Sequence, residues 1–255
     1  MFLHESTVYG PLKSRRLGSS LGINLLPNKR KVCNFECIYC ECGWTNVSVK
    51  DSLPSLAEFA RQLENKLKEL NDQEVSLNYI TFAGNGEPTL HPEFSAIVDK
   101  TIELRDRHAP DTRIAVLSNA TTLQKTSVLR ALKKVDDPVM KMDAGSEELF
   151  QAIDLPDPGL TLDRLTSDLM QFDGNLTIQT MFLRGTYKGR SVDNTTDSEI
   201  AEWQSRLLRI RPRKVMMYTI DRQTPADGLQ KINKSELETI ARRVRASGLI
   251  AETFD

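Results

Sequence analysis

Residues 33–42 read Cys33-Asn-Phe-Glu-Cys37-Ile-Tyr-Cys40-Glu-Cys42, and they hold all four cysteines of a 255-residue chain. A disulfide stabilises by closing a long loop, so bridges among such near neighbours would constrain almost nothing. Thiols crowded into one short loop read instead as a metal or redox site. Cysteines serving as small buried hydrophobes would be scattered along the chain. Soft thiolates favour zinc or an iron–sulfur cluster. Zinc would take Cys33, Cys37, Cys40 and Cys42 as four ligands. The single residue between Cys40 and Cys42 strains tetrahedral convergence, and structural zinc sites usually draw on two separate elements. His4, His91 and His108 fall outside any ligand spacing and read as surface or helix-end residues.

Outward from this loop, strand-like and helical segments alternate. Leu21–Leu26 is a short extended stretch stopped by Pro27, so the cysteines follow the end of a strand. Leu56, Phe59, Ala60, Leu63, Leu67 and Leu70 recur at helical spacing. Val75–Phe82 is β-rich and runs into Gly84-Asn-Gly-Glu-Pro88. Pro92 opens a helix through Ile97, Val98, Ile102 and Leu104. Arg113–Leu117, Val139–Met142, Leu176–Leu183 and Val215–Ile220 are further strands, with helices at 127–134, 146–153 and 161–171 between them. Thr196 with Glu199, and Ser235 with Glu238, are capping-box patterns opening the last two helices. The polar stretch Gly185–Asp197 reads as a lid. Six strands linked through helices make a parallel α/β sheet, which a doubly wound fold and a partial barrel satisfy equally. No linker divides the chain, so 1–255 reads as one domain with 1–20 as an N-terminal extension.

Composition narrows the class. The chain has 39 % hydrophobic and 27 % charged residues, and 34 Lys and Arg against 35 Asp and Glu leave a net charge of −1. No apolar run reaches the roughly 18 residues of a spanning helix. The start, MFLHESTV, lacks the basic-then-apolar layout of a signal peptide, which points to the cytoplasm.

Cys33-x3-Cys37-x2-Cys40, with aromatic Tyr39 before the third cysteine, resembles the CxxxCxΦC signature of the radical S-adenosylmethionine (radical SAM) superfamily. Gly84-Asn-Gly-Glu-Pro88 resembles that superfamily's GGE-like motif at the end of the second strand. GPLKSRRLGSSLGINLLP, VLSNATTL, KMDAG, IQTMFLRG and YTIDRQTP resemble blocks of its wyosine-synthase-like iron–sulfur oxidoreductase branch, over nearly the whole chain. The resemblance implies a partial (β/α)6 TIM-like barrel with helices outside, in agreement with the six strands. It implies a [4Fe-4S] cluster on Cys33, Cys37 and Cys40, with the fourth iron open to the amino and carboxylate groups of S-adenosylmethionine. One electron from an external flavodoxin- or ferredoxin-like donor then cleaves the sulfonium, and a 5′-deoxyadenosyl radical abstracts hydrogen from the substrate. By the same resemblance Tyr39 lies near the adenine, and Gly84, Asn85, Gly86 and Glu87 hold the methionyl amine. Ser118, Asn119, Lys141 and Asp143 lie at strand ends where the cofactor's carboxylate or ribose is met. Gln179, Tyr218 and Asp221 are candidates to face the substrate. Cys42 has no role in the signature.

The substrate is less constrained. Pyruvate-condensing wyosine enzymes carry cysteines for a second cluster, and one cysteine outside the motif cannot supply them. Residues 1–50 hold seven Lys and Arg against three acids, including Lys29-Arg30-Lys31, and residues 204–245 hold eleven against four, including Arg209, Arg211, Arg213 and Lys214. On one face these would form a phosphate-tracking patch for RNA; a small metabolite or a peptide is the other expectation. An enzyme placing a radical on a partner protein is the alternative within the superfamily, and a non-catalytic zinc module the alternative outside it.

Overall fold

The computed structural model describes residues 2–46 and 52–255. In chain order its elements are β1 (Val8–Ser14), β2 (Gly18–Ile23), α1 (Leu56–Asp72), β3 (Tyr79–Phe82), α2 (Phe94–His108), β4 (Arg113–Ser118), α3 (Thr126–Leu132), β5 (Asp137–Lys141), α4 (Glu147–Ile153), α5 (Leu162–Met170), β6 (Thr177–Tyr187), β7 (Arg190–Asp193), α6 (Asp197–Ile210), β8 (Lys214–Thr219), β9 (Leu229–Lys231), α7 (Lys234–Ala246) and β10 (Ala251–Phe254). One sheet runs β1-β2-β3-β4-β5-β6-β8-β10, and it does not close. Its pairs from β2 to β10 are all parallel, while β1 returns antiparallel along β2. This is the partial barrel rather than a doubly wound sheet.

The two faces of the strands explain the curvature. Ile80, Phe82, Ile114, Val116, Met140, Ile178, Val215 and Met217 point under the helices into the main core. The alternate residues Ala115, Val139 and Met216 form a separate apolar cluster with Leu17, from the β1–β2 turn. A cluster that joins the hairpin tip to β4, β5 and β8 needs a sheet that is concave around it. The hairpin tip therefore fills the floor of the barrel, and Arg16 beside it reaches Gln179 Oε1 at 2.6 Å and lies 4.4 Å from the Tyr218 ring.

Several elements differ from the expected ones. The strand expected over Leu21–Leu26 is shifted to Gly18–Ile23, and the one expected from Val75 begins only at Tyr79. Val75 is spent on the exit of α1, where its N–H returns to Leu70 O. Ser55 and Glu58 form an unanticipated capping box on α1, which buries Phe59, Leu63, Leu67 and Leu70. Helix α2 starts at Phe94, not at Pro92. The capping box on α7 is Asn233 with Glu236 rather than Ser235 with Glu238. Thr196 does cap α6, but the Glu199 carboxylate leaves the helix to accept from Gly145 and Ser146 N–H. The polar stretch read as a lid is a hairpin, with β7 paired to the extended end of β6. The short strands β9 and β10 were not legible; β10 adds a seventh parallel strand beside β8.

Candidate active site

The cysteine loop leaves β2 at the C-terminal ends of the parallel strands, where α/β barrels carry their chemistry. It is fastened on two sides. Val32 N–H donates to Asn85 O at 2.8 Å, and Glu87 N–H donates to Val32 O at 3.0 Å. Gly86 sits at φ +132°, and a Cβ there would lie 1.9 Å from Val32 O, so the close approach requires glycine. On the other side Glu36 N–H and Ile38 N–H donate to Asp154 O and Ile153 O, and Phe35 packs edge-on against Phe150.

All four thiols line one cavity of about 170 Å³, together with Gly84, Gly86, Glu87, Ser118, Asn119, Lys141 and Gln179. Residues from five separate stretches of sequence thus meet around one cavity. Asn85 is the exception: its side chain turns away, accepting from His4 N–H and donating to His4 O and Pro27 O. Gly84 is set by packing, since a Cβ there would strike the Asn24 side chain at 2.4 Å.

The Glu87 carboxylate is buried and held by protein donors. One oxygen accepts from Thr89 N–H at 3.1 Å, Thr89 Oγ1 at 2.5 Å and Ser118 Oγ at 2.9 Å; the other accepts from Asn119 N–H at 2.6 Å. Burial raises its pKa, and these donors oppose the rise. Asn119 in turn donates to Asn34 Oδ1 at 2.7 Å and lies 3.7 Å from Cys33 Sγ.

A second buried group joins Lys141 and Tyr39 in the cavity wall to two carboxylates behind it. Lys141 contacts Asp143 and the Tyr39 hydroxyl, pairs with Asp154 at 2.9 Å, and lies 4.5 Å from the Tyr39 ring centre. Tyr39 also donates to Asp143, whose other oxygen accepts from Met181 N–H at 2.9 Å. Asp143 therefore faces this cluster and does not line the cavity. Burial pushes the Asp154 carboxyl up to about 6, against the pull of Lys141. Nothing in the local sequence singles out Asp154.

The thiols are not equivalent. Burial pushes Cys33 up to about 12 and raises Cys37 as well. The Cys42 thiol against Cys40 holds Cys40 down at about 6, with burial opposing, while Cys42 itself is raised. Cys42 Sγ also lies 3.4 Å from Gly84 O. Lys31 points into the same cavity and is buried. Burial acts to lower its pKa, but Cys40, Cys33, Cys37 and Glu36 hold it above the ordinary range.

This placement breaks the expected basic patch. Lys31 is a cavity residue rather than a surface one. At the opposite, N-terminal end of the strands, Arg213 pairs with Asp137 and Lys214 with Glu252. Lys50, counted in the same patch, lies outside the described residues. Of the substrate candidates, Gln179 lines the cavity, Tyr218 lies beneath Arg16, and Asp221 sits at the surface with Arg15. His91 is buried rather than on the surface, with Nε2 on Pro54 O; His4 stacks on Tyr9, and His108 ends α2 beside Glu64.

Among the described residues no three His, Cys, Asp or Glu side chains are arranged to hold a single metal ion. Thiols set around a cavity beside a buried ammonium suit a larger, anionic, sulfur-ligated group.

The radical SAM superfamily model matches residues 29–164, which contain every cysteine and the Glu87 loop. A UPF0026 protein of Methanocaldococcus jannaschii, MJ1312, is 30% identical over 217 residues, covering 83% of this chain and 62% of that one. A Brachyspira hyodysenteriae protein named GTPase Obg is 27% identical over 251 residues, or 96% of this chain and 34% of its own length. The chain thus spans between one third and about three fifths of these relatives. Among solved structures, a radical SAM methyltransferase from Sphaerobacter thermophilus shares the fold with a TM-score of 0.68 at 13% identity, covering 92% of this chain and 66% of that one. Streptococcus suis SuiB bound to S-adenosylmethionine does so at 0.64 and 16% identity, covering 89% of this chain and 49% of that one. The chain belongs to the radical SAM superfamily, enzymes whose cofactors are a [4Fe-4S] cluster and S-adenosylmethionine.

Proposed function

We propose that Cys33, Cys37 and Cys40 hold the cluster and that the adjoining wall of the cavity binds S-adenosylmethionine for hydrogen abstraction from a substrate yet to be identified. The observation that carries this reading is the single cavity shared by the three motif thiols, the Glu87 loop and the end of β4. When bound, the cluster supplies the electron that splits the sulfonium into methionine and a 5′-deoxyadenosyl radical.

The chain's own part is binding, orientation and exclusion of water. Gly84 and Gly86 bring backbone to the cavity, and Glu87 offers a carboxylate for the methionyl ammonium. Ser118 and Asn119 end β4 beside it. Lys141 is the cavity's polar group on β5, and Asp143, Asp154 and Tyr39 fix it in place. Asn85 ties the chain's first residues to the Glu87 loop and does not touch the cofactor. An external flavodoxin- or ferredoxin-like protein delivers the electron. We place the enzyme in the cytoplasm; no helix among the described residues is long and apolar enough to cross a membrane. Lys31 in the cavity and Arg213 and Lys214 at the opposite end of the strands do not share one face, which favours a small metabolite or peptide over RNA.

Anaerobic reconstitution tests the reading. Wild-type protein should bind about four irons and, after chemical reduction with S-adenosylmethionine, release 5′-deoxyadenosine. Cys33→Ala, Cys37→Ala and Cys40→Ala should each abolish both, and Cys42→Ala should keep most of the iron. Complete loss of the cluster in Cys42→Ala would overturn the three-thiol assignment. If zinc binds and no 5′-deoxyadenosine forms, the reading as a whole is wrong.

A further inference from the structure

Lys31 is the most deeply buried lysine or arginine among the described residues. It is 2% exposed and lines the thiol cavity, whereas its ion-pair partner Glu36 does not. The pair is long, at 3.4 Å, with the Glu36 side chain 33% exposed. Glu36 also accepts from Thr45 N–H at 3.1 Å and from the Thr45 hydroxyl, so its carboxylate is shared away from the lysine. Among the described residues, the ammonium also donates to Gly43 O at 3.3 Å. Lys141, the second cation lining the cavity, is neutralised by two buried carboxylates, Asp143 and Asp154. Among the described residues, Lys31 is thus the less compensated of the two cations that line the cavity.

We infer that Lys31 is a positioning residue for electron transfer, a fixed cation that raises the reduction potential of the cluster held by Cys33, Cys37 and Cys40. This rests on the cluster reading above. With three thiolate ligands a [4Fe-4S] core in the 2+ state leaves the site at −1, and one added electron from the external donor takes it to −2. A buried ammonium stabilises the more negative state more strongly, and burial keeps solvent from screening it. Burying a lysine is costly unless its charge is used, and here the anion that would use it forms only when the cluster is present.

The test is an anaerobic redox titration followed by electron paramagnetic resonance, on reconstituted wild type and variants, without S-adenosylmethionine and with iron and sulfide assayed in parallel. Lys31→Met should shift the one-electron equilibrium at least tenfold toward the oxidised cluster, a fall of about 59 mV in midpoint. Lys31→Arg should keep the wild-type midpoint. Glu36→Gln should raise the midpoint, because it removes the negative charge that stands against the lysine. Lys31→Met with normal iron and an unchanged midpoint overturns this inference and leaves the cluster assignment standing. Wild type without a cluster would instead overturn the assignment itself. If both Lys31→Met and Lys31→Gln fail to hold wild-type iron, the lysine serves assembly, and the inference is wrong.

Discussion

Glu87→Gln preserves shape while removing a charge, and the surrounding donors make its cost calculable. The Thr89 hydroxyl accepts from Thr122 Oγ1, and Ser118 Oγ accepts from Ala120 N–H, so both hydroxyl protons are committed to Glu87. With the two backbone N–H groups of Thr89 and Asn119, four donors converge on the carboxylate. A glutamine can turn its oxygen toward Thr89 and Ser118, but its NH2 then faces Asn119 N–H across 2.6 Å, donor against donor. Loss of that charge-assisted bond in a buried site costs about 1.5–3 kcal/mol. Loss of the same charge for the ammonium of S-adenosylmethionine is worth a similar amount, a rise in dissociation constant of about tenfold or more. Urea unfolding of the iron-free protein reads the first effect, and equilibrium binding of S-adenosylmethionine to the reconstituted protein reads the second. Iron content should stay normal, because the backbone bonds at Val32, Glu36 and Ile38 that fasten the cysteine loop do not involve this carboxylate. Unchanged stability would refute the reasoning about the donors. Lower stability with unchanged affinity would leave Glu87 as scaffolding and remove it from the cofactor site.

Asn85→Ala deletes one buried and two part-buried side-chain hydrogen bonds and should cost about 2–4 kcal/mol, with hydrogen exchange rising around His4 before it rises elsewhere. In Gly86→Ala a methyl group meets Val32 O, so the cysteine loop must move; reconstituted iron should fall, whereas Gly159→Ala, also at positive φ (+87°) but with open space around its Cβ position, should retain it. Burial and the hydrogen bond to Asp137 push the Tyr79 hydroxyl up to about 12, above its ordinary value near 10. Its folded-state proton is the tighter bound, so this contribution is present below pH 10 and is lost as pH rises toward 12. Tyr79→Phe should flatten that alkaline decline, followed by absorbance near 295 nm and by unfolding at each pH.

The parts of the fold legible in the sequence are those written in local pattern. Phe59, Leu63, Leu67 and Leu70 announce α1 by spacing alone, and the cysteines announce a site by crowding. The Gly-Asn-Gly-Glu-Pro stretch could be placed because glycine and proline end a strand wherever they fall. What stayed hidden depends on partners distant in sequence. Ala251–Phe254 is a strand because β8 lies beside it, not because four residues show a period. Glu199 has the spacing of a capping box and the better offer of two N–H groups at the start of α4. Lys31 is one letter in a basic run, and only the path of the loop turns it inward while Arg213 and Lys214 stay at the far end of the barrel. A pattern gives a residue's phase, whereas its direction in a loop is decided by tertiary contacts.

The floor of the barrel sets an order of events during synthesis. The β1–β2 tip is made before the surface it fills, which belongs to β4, β5 and β8. Arg16 waits for Gln179, 163 residues later. At ribosomal rates of about 5–20 residues per second, that delay is roughly 8–30 s. Through it Leu17 has no barrel to enter. The hairpin is in effect a keystone cut first and set late, with the loop-closure entropy of a long-range contact falling on its final step. Slow, late protection of the amide of Leu17 in pulse-labelled refolding would be its signature.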